Sequence, residues 1–179
     1  VTAVGSMISM ALCPLLIKKL NERNAYILLS VYGFAASVFS FVIGHFWFQS
    51  PKNMVLTVLF YASLFLIGLQ FGAVTLMPMI MTADTVDYYE HETGKRMEGA
   101  CYSILTLTIK VCLALGTAVG LIFVQKSGYY ESLSAGTFTT KTKDIIFFAY
   151  TALPGILALL SIVPMFKYDI CLLYTSPSP

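Results

Sequence analysis

The chain has 179 residues, of which 58% are hydrophobic and 11% charged, with a formal net charge of +2. A soluble domain usually carries roughly 25% charged residues, so this chain lacks the charge to cover a surface that faces water. The small net charge and the absence of a long basic run argue against a nucleic-acid partner. The four cysteines have neither CxxC nor metal-site spacing, so we predict no disulfide and no metal site.

Five apolar segments reach or approach the roughly 20 residues that a helix needs to cross a bilayer. We therefore predict an all-α membrane protein with five transmembrane helices. The segments cover residues 1–17, 25–44, 54–82, 101–125 and 145–166, each bound being approximate. The third segment exceeds a straight crossing, so it tilts or is kinked at Pro78, which has no N–H to donate to the carbonyl of Val74.

Two GxxxG pairs place small residues on one face of a helix, where another backbone can approach closely. The pairs are Gly68/Gly72 in the third segment and Gly116/Gly120 in the fourth. Either pair could arise by chance in an apolar helix that contains glycine. Ala114 and Ala118 add small residues beside the second pair, so we expect the fourth helix to be the more tightly packed of the two.

The loop charges predict an orientation, because cytoplasmic loops are enriched in lysine and arginine. Six basic residues fall on one side and four on the other. The richer side holds Lys18, Lys19, Arg23, Lys95, Arg96 and Lys167, and the poorer side holds Lys52, Lys126, Lys141 and Lys143. We therefore expect the loops near 18–24 and 84–100 to be cytoplasmic, and the aromatic residues at 46–48 and 129–130 to lie at the outer interface.

Lys110 lies about ten residues into the fourth segment, which places it ~14 Å deep and near the bilayer centre. A charged lysine there costs roughly 2.5–3.5 kcal/mol. The predicted membrane cores contain no acidic residue, so its counter-charge must come from protein outside the chain, a bound substrate or water. Ser103, Thr106 and Thr117 share its side of the helix and predict the wall of a polar cavity. The alternative is a lysine that extends to an interface or pairs only for stability.

An acidic cluster follows the third segment, where Asp84, Asp87 and Glu90 recur every third residue and share a helix face. Each carboxylate at a helix C-terminus is disfavoured by ~0.3–1 kcal/mol unless a cation meets it. Lys95 and Arg96 are near in sequence, and the other basic loop supplies further cations. The cluster is either such an ionic network or an ordinary solvated helix end, and the residues alone leave both open.

The sequence gives no sign of an enzyme. It contains no HExxH, GxSxG, GxxxxGK[ST] or GxGxxG motif, and His45 and His91 are isolated histidines. The acidic residues lie beyond the apolar segments without a convincing catalytic partner. We predict that the chain is not an enzyme and binds no cofactor.

Residues 83–99, ADTVDYYEHETGKRMEG, closely resemble the AD-x-VDY-x-E-x-x-TG-x-R-x-EG segment of the glycoside–pentoside–hexuronide:cation symporters. These melibiose-carrier-like proteins belong to the major facilitator superfamily. Three further stretches are similar to the family: PLLIKKLNERN at 14–24, YSILTLTIK at 102–110 and ALPGILALLSIVPMFKYDI at 152–170. The resemblance covers residues 1–170 and implies a truncated C-terminal bundle, helices 8–12 of 12.

The resemblance implies a sugar, glycoside or uronide carrier that is coupled to Na⁺ or H⁺ and works by alternating access. It implies that Lys110, Thr106 and Thr75 face the substrate, although family members place an aromatic ring where Thr75 stands. The resemblance also assigns four residues to a cytoplasmic gate: Asp84, Asp87, Glu90 and Arg96. The coupling cation is expected mainly on an N-terminal bundle that this chain does not contain. The implied location is the plasma or inner membrane.

Residues 171–179 read CLLYTSPSP and resemble translated adapter sequence, so we predict a non-native tail there. Two functional alternatives remain. A related carrier could move another organic solute or a lysolipid, and a membrane scaffold or sensor would transport nothing.

Overall fold

The computed structural model describes residues 1–50 and 52–166, which form eight helices within those ranges. They are α1 Thr2–Leu20, α2 Glu22–Gln49, α3 Met54–Thr93, α4 Glu98–Lys126, α5 Tyr129–Ala135, α6 Thr140–Tyr150, α7 Ala152–Leu160 and α8 Ile162–Met165. Helices α1 to α4 and the combined span Thr140–Met165 are each long and apolar enough to cross a membrane. This confirms the predicted all-α membrane fold with five spans. The predicted tail at 171–179 and Lys167 lie outside the described residues.

Helix α3 continues past the apolar run that ends near Thr82 and stops at Thr93. Its end is set by Gly94, which adopts a left-handed conformation with φ 67° and donates its N–H to the carbonyl of Glu90 at 2.8 Å. At its other end, the side chain of Asn53 accepts a hydrogen bond from the N–H of Val55 at 3.2 Å. Pro78 lies inside the helix without ending it. The acidic cluster therefore stands on a helix rather than in a loop.

The fifth span is interrupted twice, at Thr151 and at Ser161. Pro154 and Pro164 lie in the first turns of α7 and α8. A proline lacks the N–H that would bond four residues back, and its ring crowds that carbonyl. Each interruption precedes its proline by three residues. The proline then lies in the first turn of the new helix, where N–H groups have no carbonyl partner within the helix and a missing N–H is tolerated.

Helices α1, α2 and α3 pack around a core that includes Cys13, Ala25, Ala73 and Met77. On α3, Gly68 and Gly72 face the backbone of α1, where an added Cβ would overlap the carbonyl oxygens of Thr2 and Ser6. Only glycine permits this approach. We call this contact the glycine seam.

Helix α4 is different, because none of its residues is buried within the described part of the chain. A Cβ added at Gly116 or Gly120 would meet no described atom within 4 Å. The expectation that α4 is the more tightly packed glycine helix is therefore wrong for the described residues. The tight seam forms instead on α3, since close approach depends on which face meets a neighbour and not on the glycine spacing alone.

The five spans run in alternating directions, so their ends fall into two groups. The charged end holds the α1–α2 junction at Asn21 and the α3–α4 loop at 94–97. The aromatic end holds residues 50, 52–53 and 127–139. There Trp47 stacks on Phe60 with ring centroids 4.5 Å apart, and Phe147 of α6 lies 5.6 Å from Phe60. His45 also contacts Asp144 of α6 at 3.0 Å, which links α2 to the fifth span.

Candidate functional site: a polar face on α4 and the charged end

Lys110 lies near the middle of α4 and is exposed. Together with Tyr102, Ser103, Thr106 and Leu107 it lines an open groove of about 400 Å³. No ion pair to Lys110 is found among residues 1–50 and 52–166. The groove thus presents one cation and three hydroxyls on a helix that is otherwise largely apolar.

The serine and threonine hydroxyls of this face donate into their own helix. Ser103 donates to the carbonyl of Gly99 at 2.6 Å, and Thr106 donates to the carbonyl of Tyr102 at 2.7 Å. Thr117, farther along the helix, donates in the same way to Leu113 at 2.8 Å. Because a hydroxyl has a single proton, these oxygens retain only acceptor capacity. They are therefore suited to accept hydrogen bonds from the O–H groups of a ligand, while Lys110 supplies donors.

Thr75 is exposed on α3, where its hydroxyl donates to the carbonyl of Phe71 at 2.7 Å. It is not among the residues that line the Lys110 groove. The structure therefore brings Thr106 and Lys110 together but leaves Thr75 on a separate helix.

Arg96 lies between α3 and α4 and contacts three carboxylates. Its Nη1 is 2.8 Å from Oε2 of Glu90 and 3.7 Å from Oδ1 of Asp87, and its Nε donates to Oε2 of Glu98 at 3.3 Å. Hydrogen bonds to Glu98 and Glu90 raise the pKa of Arg96 above its ordinary value. All four side chains are about half exposed, so water screens these pairs. Three of the four expected gate residues meet here.

Asp84, the fourth, contacts a different partner. It lies close to the carboxyl group of Glu22, the first residue of α2. Glu22 is only 7% exposed, and its Oε2 is buried without a hydrogen-bond partner among the described residues. Of the two interpretations left open by the sequence, the ionic network thus describes Asp87 and Glu90, whereas no described cation pairs with Asp84. Lys18, Lys19 and Lys95 are exposed and make no ion pair within the part of the chain that the structure describes.

The sequence did not single out Glu22. The only available signal was its position as the sole acid in the basic stretch KKLNERN, beside a helix start. An acid at that place is ordinarily explained by the helix dipole. Only the packing of α2 against α3 shows that Glu22 faces another acid.

Comparison with known protein families identifies the family to which a chain with these features belongs. Residues 1–171 match the model of the family described as MFS/sugar transport protein. The chain belongs to this MFS sugar transport family. The resemblance drawn from residues 83–99 is thereby confirmed.

Several curated relatives support the assignment. Over 127 residues the chain is 31% identical to the inner membrane symporter YicJ of Escherichia coli, covering 71% of this chain and 27% of the relative. The same organism's putative sulfoquinovose importer is 27% identical, over 86% of this chain and 31% of that protein. Its glucuronide carrier protein homolog is 26% identical, over 70% and 26%. These relatives are transporters, which confirms that an MFS sugar transport protein of this kind is not an enzyme.

The chain spans about half or less of the curated relatives it matches, with 49% as the largest share among the first four. No solved structure matches it. The family and the five spans together make the chain a multi-pass membrane protein of the MFS sugar transport family.

Proposed function

We propose that the chain is the C-terminal part of a secondary active carrier that moves a sugar, glycoside or uronide together with Na⁺ or H⁺. The polar face of α4 lines the substrate path, and Lys110 is its central contact. The carrier alternates between inward-open and outward-open states by rocking this bundle against an N-terminal bundle of the same protein. It works in the plasma or inner membrane.

The observation that carries this proposal is the position of Lys110. Its ammonium group stands in the middle of a membrane span without a described counter-charge. Ionisable groups at such depth mark substrate or ion pathways, because their insertion costs roughly 2.5–3.5 kcal/mol. Lipid tails cannot solvate the ammonium group, whereas water in a polar path or an anionic ligand can stabilise it.

We further propose that the preferred substrates carry a negative charge. Two relatives have names that specify a glucuronide and sulfoquinovose, which are sugars with a carboxylate and a sulfonate group. Lys110 supplies the matching cation, and the oxygens of Ser103 and Thr106 accept hydrogen bonds from sugar hydroxyls. An anionic sugar would also neutralise the lysine while it is bound.

The charged end forms the inner gate in this account and faces the cytoplasm, as the basic loops indicate. Arg96 gathers Glu90, Asp87 and Glu98 into a screened network that can break and reform at low cost. The coupling cation binds mainly to the N-terminal bundle. Its identity as Na⁺ or H⁺ stays open.

Uptake in cells that express the full-length carrier tests the role of Lys110. We expect Lys110→Met to reduce uptake of a labelled glucuronide at least tenfold, and uptake of a neutral glycoside less, because only the anion loses its charge partner. Lys126→Met, at the end of the same helix, is the matched control and should transport normally. Normal glucuronide uptake by Lys110→Met at equal expression would refute the proposal.

A further inference from the structure

A cleft of about 390 Å³ opens at the aromatic end of the bundle, a volume within the range of roughly 300–1,000 Å³ that is typical of small-molecule sites. Two aromatic pairs form its walls. Phe48 of α2 and Phe147 of α6 have ring centroids 5.5 Å apart, and Tyr129 of α5 lies 5.5 Å from Phe138. We call it the aromatic cleft. It shares no described lining residue with the Lys110 groove, so it is separate from the proposed sugar path.

The connection between α4 and α6 holds one wall of the cleft in place. Gly128 adopts a left-handed conformation with φ 71° and turns the chain from α4 into α5. The hydroxyl of Thr142, which is 4% exposed, donates to the carbonyl of Ser127 at 2.9 Å. This buried hydrogen bond ties the start of the connection to the first turn of α6. The cleft is therefore a fixed feature of the fold.

The floor of the cleft is one face of α6, on which four lining residues recur at helical spacing: Lys143, Ile146, Phe147 and Tyr150. At ~1.5 Å per residue, Lys143 and Tyr150 stand about 10 Å apart along the helix axis. Lys143 lies near the aromatic end of the span Thr140–Met165, and Tyr150 lies deeper in it. The floor thus runs from the membrane interface into the hydrocarbon layer, with a cation at its interfacial end.

The aromatic end carries more positive than negative charge. Its charged residues are the bases Lys52, Lys126, Lys141 and Lys143 and the acids Glu131 and Asp144. Asp144 already contacts His45 at 3.0 Å. Lys143 makes no ion pair within residues 1–50 and 52–166. Its ammonium group is therefore available to an anion from outside the chain.

We propose that the aromatic cleft binds one anionic phospholipid of the membrane leaflet at this end. An acyl chain lies along Ile146 and Phe147 toward Tyr150, and the phosphate group pairs with Lys143. A lysine near an interface rests its methylene groups on apolar surface while its ammonium group reaches the headgroups. Burial of the acyl chain favours any phospholipid, and the charge of Lys143 selects an anionic one.

A sugar suits this cleft poorly. The wall is almost entirely apolar, so sugar hydroxyls would lose their hydrogen bonds to water without replacement. The Lys110 groove, by contrast, offers hydroxyl groups beside its cation. A neutral phospholipid would fill the apolar part of the cleft but leave Lys143 without an anion.

Trp47, the single tryptophan of the chain, reports on the aromatic cleft. Its ring centroid lies 5.6 Å from that of Phe48, which lines the cleft. Bromine atoms on an acyl chain quench tryptophan fluorescence at short range. In bilayers that contain the full chain, we expect brominated phosphatidylglycerol to compete about fivefold better for the quenching position than brominated phosphatidylcholine. One lysine near a membrane surface gives a preference of about this size.

Three variants assign the preference to one side chain. Lys143→Gln should abolish the preference for phosphatidylglycerol, and Lys143→Arg should retain it. Lys141→Gln is the matched control, because it removes the same charge from the same helix at a position that does not line the cleft. Residues two apart lie on opposite sides of a helix, so this variant should keep the preference.

Equal quenching by the two brominated lipids in the parent chain would overturn the proposal. So would equal losses of preference in Lys143→Gln and Lys141→Gln, which would indicate diffuse surface charge. At constant ionic strength, relief of quenching by inorganic phosphate would show a site for free anions, and relief by a glucuronide would show a second sugar site. Relief at a higher ratio of protein to lipid would place a second copy of the chain in the cleft. Each of these results would overturn the proposal, and none of them depends on sugar uptake.

Discussion

The glycine seam on α3 and the open face of α4 contain the same GxxxG spacing in opposite surroundings. Gly68 and Gly72 let α1 approach until the backbones touch, whereas Gly116 and Gly120 face no described atom within 4 Å. Elsewhere on its surface, α4 also carries Lys110 and a row of hydroxyls. Small residues therefore permit a close helix contact, but they do not determine whether another helix packs against them. A helix that exposes both small and polar residues is suited to a moving or hydrated neighbour.

The largest expected effect on stability comes from making the same glycine-to-alanine change in each of the two glycine pairs. Gly68→Ala places a Cβ against the carbonyl oxygen of Thr2, which is backbone and cannot rotate away. We expect a loss of about 1–3 kcal/mol of stability, the usual cost of overpacking. Thermal unfolding of the chain in detergent measures it.

Gly116→Ala is the matched control, because it adds the same methyl group to open space. It should leave the stability unchanged or raise it by up to ~1 kcal/mol through helix propensity. Equal losses from the two variants would contradict the distinction between the seam and the open face.

A smaller loss of stability is expected when the polar contact between α2 and α6 is removed. His45→Ala removes the partner of Asp144, whose other oxygen, Oδ1, is already buried without a hydrogen bond among the described residues. Because the Asp144 side chain is 22% exposed, water compensates for part of the lost contact, and we expect a loss of about 0.5–1.5 kcal/mol. Chemical or thermal unfolding should show this loss as a lower midpoint.

Thr108→Val tests the exposed helix α4 in the same unfolding assay. Its hydroxyl donates only to Ile104 of its own helix, at 2.9 Å, and the side chain is exposed. Removing that hydroxyl should change the midpoint little. A loss as large as that of His45→Ala would show that α4 is held by contacts which the structure does not contain.

The sequence predicted the five spans because apolar runs of the required length are a strong local signal. It placed the end of α3 near Thr82, where that signal fades, while the helix ends at the left-handed Gly94. The interruptions at Thr151 and Ser161 follow from two prolines whose effect depends on their helix position. Pro78 has the same chemistry and does not interrupt α3.

The candidate site was predictable in part. Lys110 and Thr106 share a helix face by spacing alone, and the structure places both in one groove. Arg96 was near its acidic partners in sequence, so its network followed from local geometry. Glu22 and Asp84 are distant in the chain, and only tertiary packing brings them together. Whether Thr75 serves the same substrate remains a prediction, since no described contact joins it to the groove.

Thiol labelling of the full-length carrier tests most directly whether the α4 face lines a sugar path. A Leu107→Cys variant, which lines the same groove and keeps Lys110, should react with a water-soluble thiol reagent once the native cysteines are replaced by serine, and a saturating glucuronide should slow that reaction severalfold. Leu115→Cys on the same helix provides the comparison, because it lies off the polar face and should react slowly with or without sugar. A Leu107→Cys thiol that stays inert, or that reacts at the same rate with and without substrate, would contradict the account.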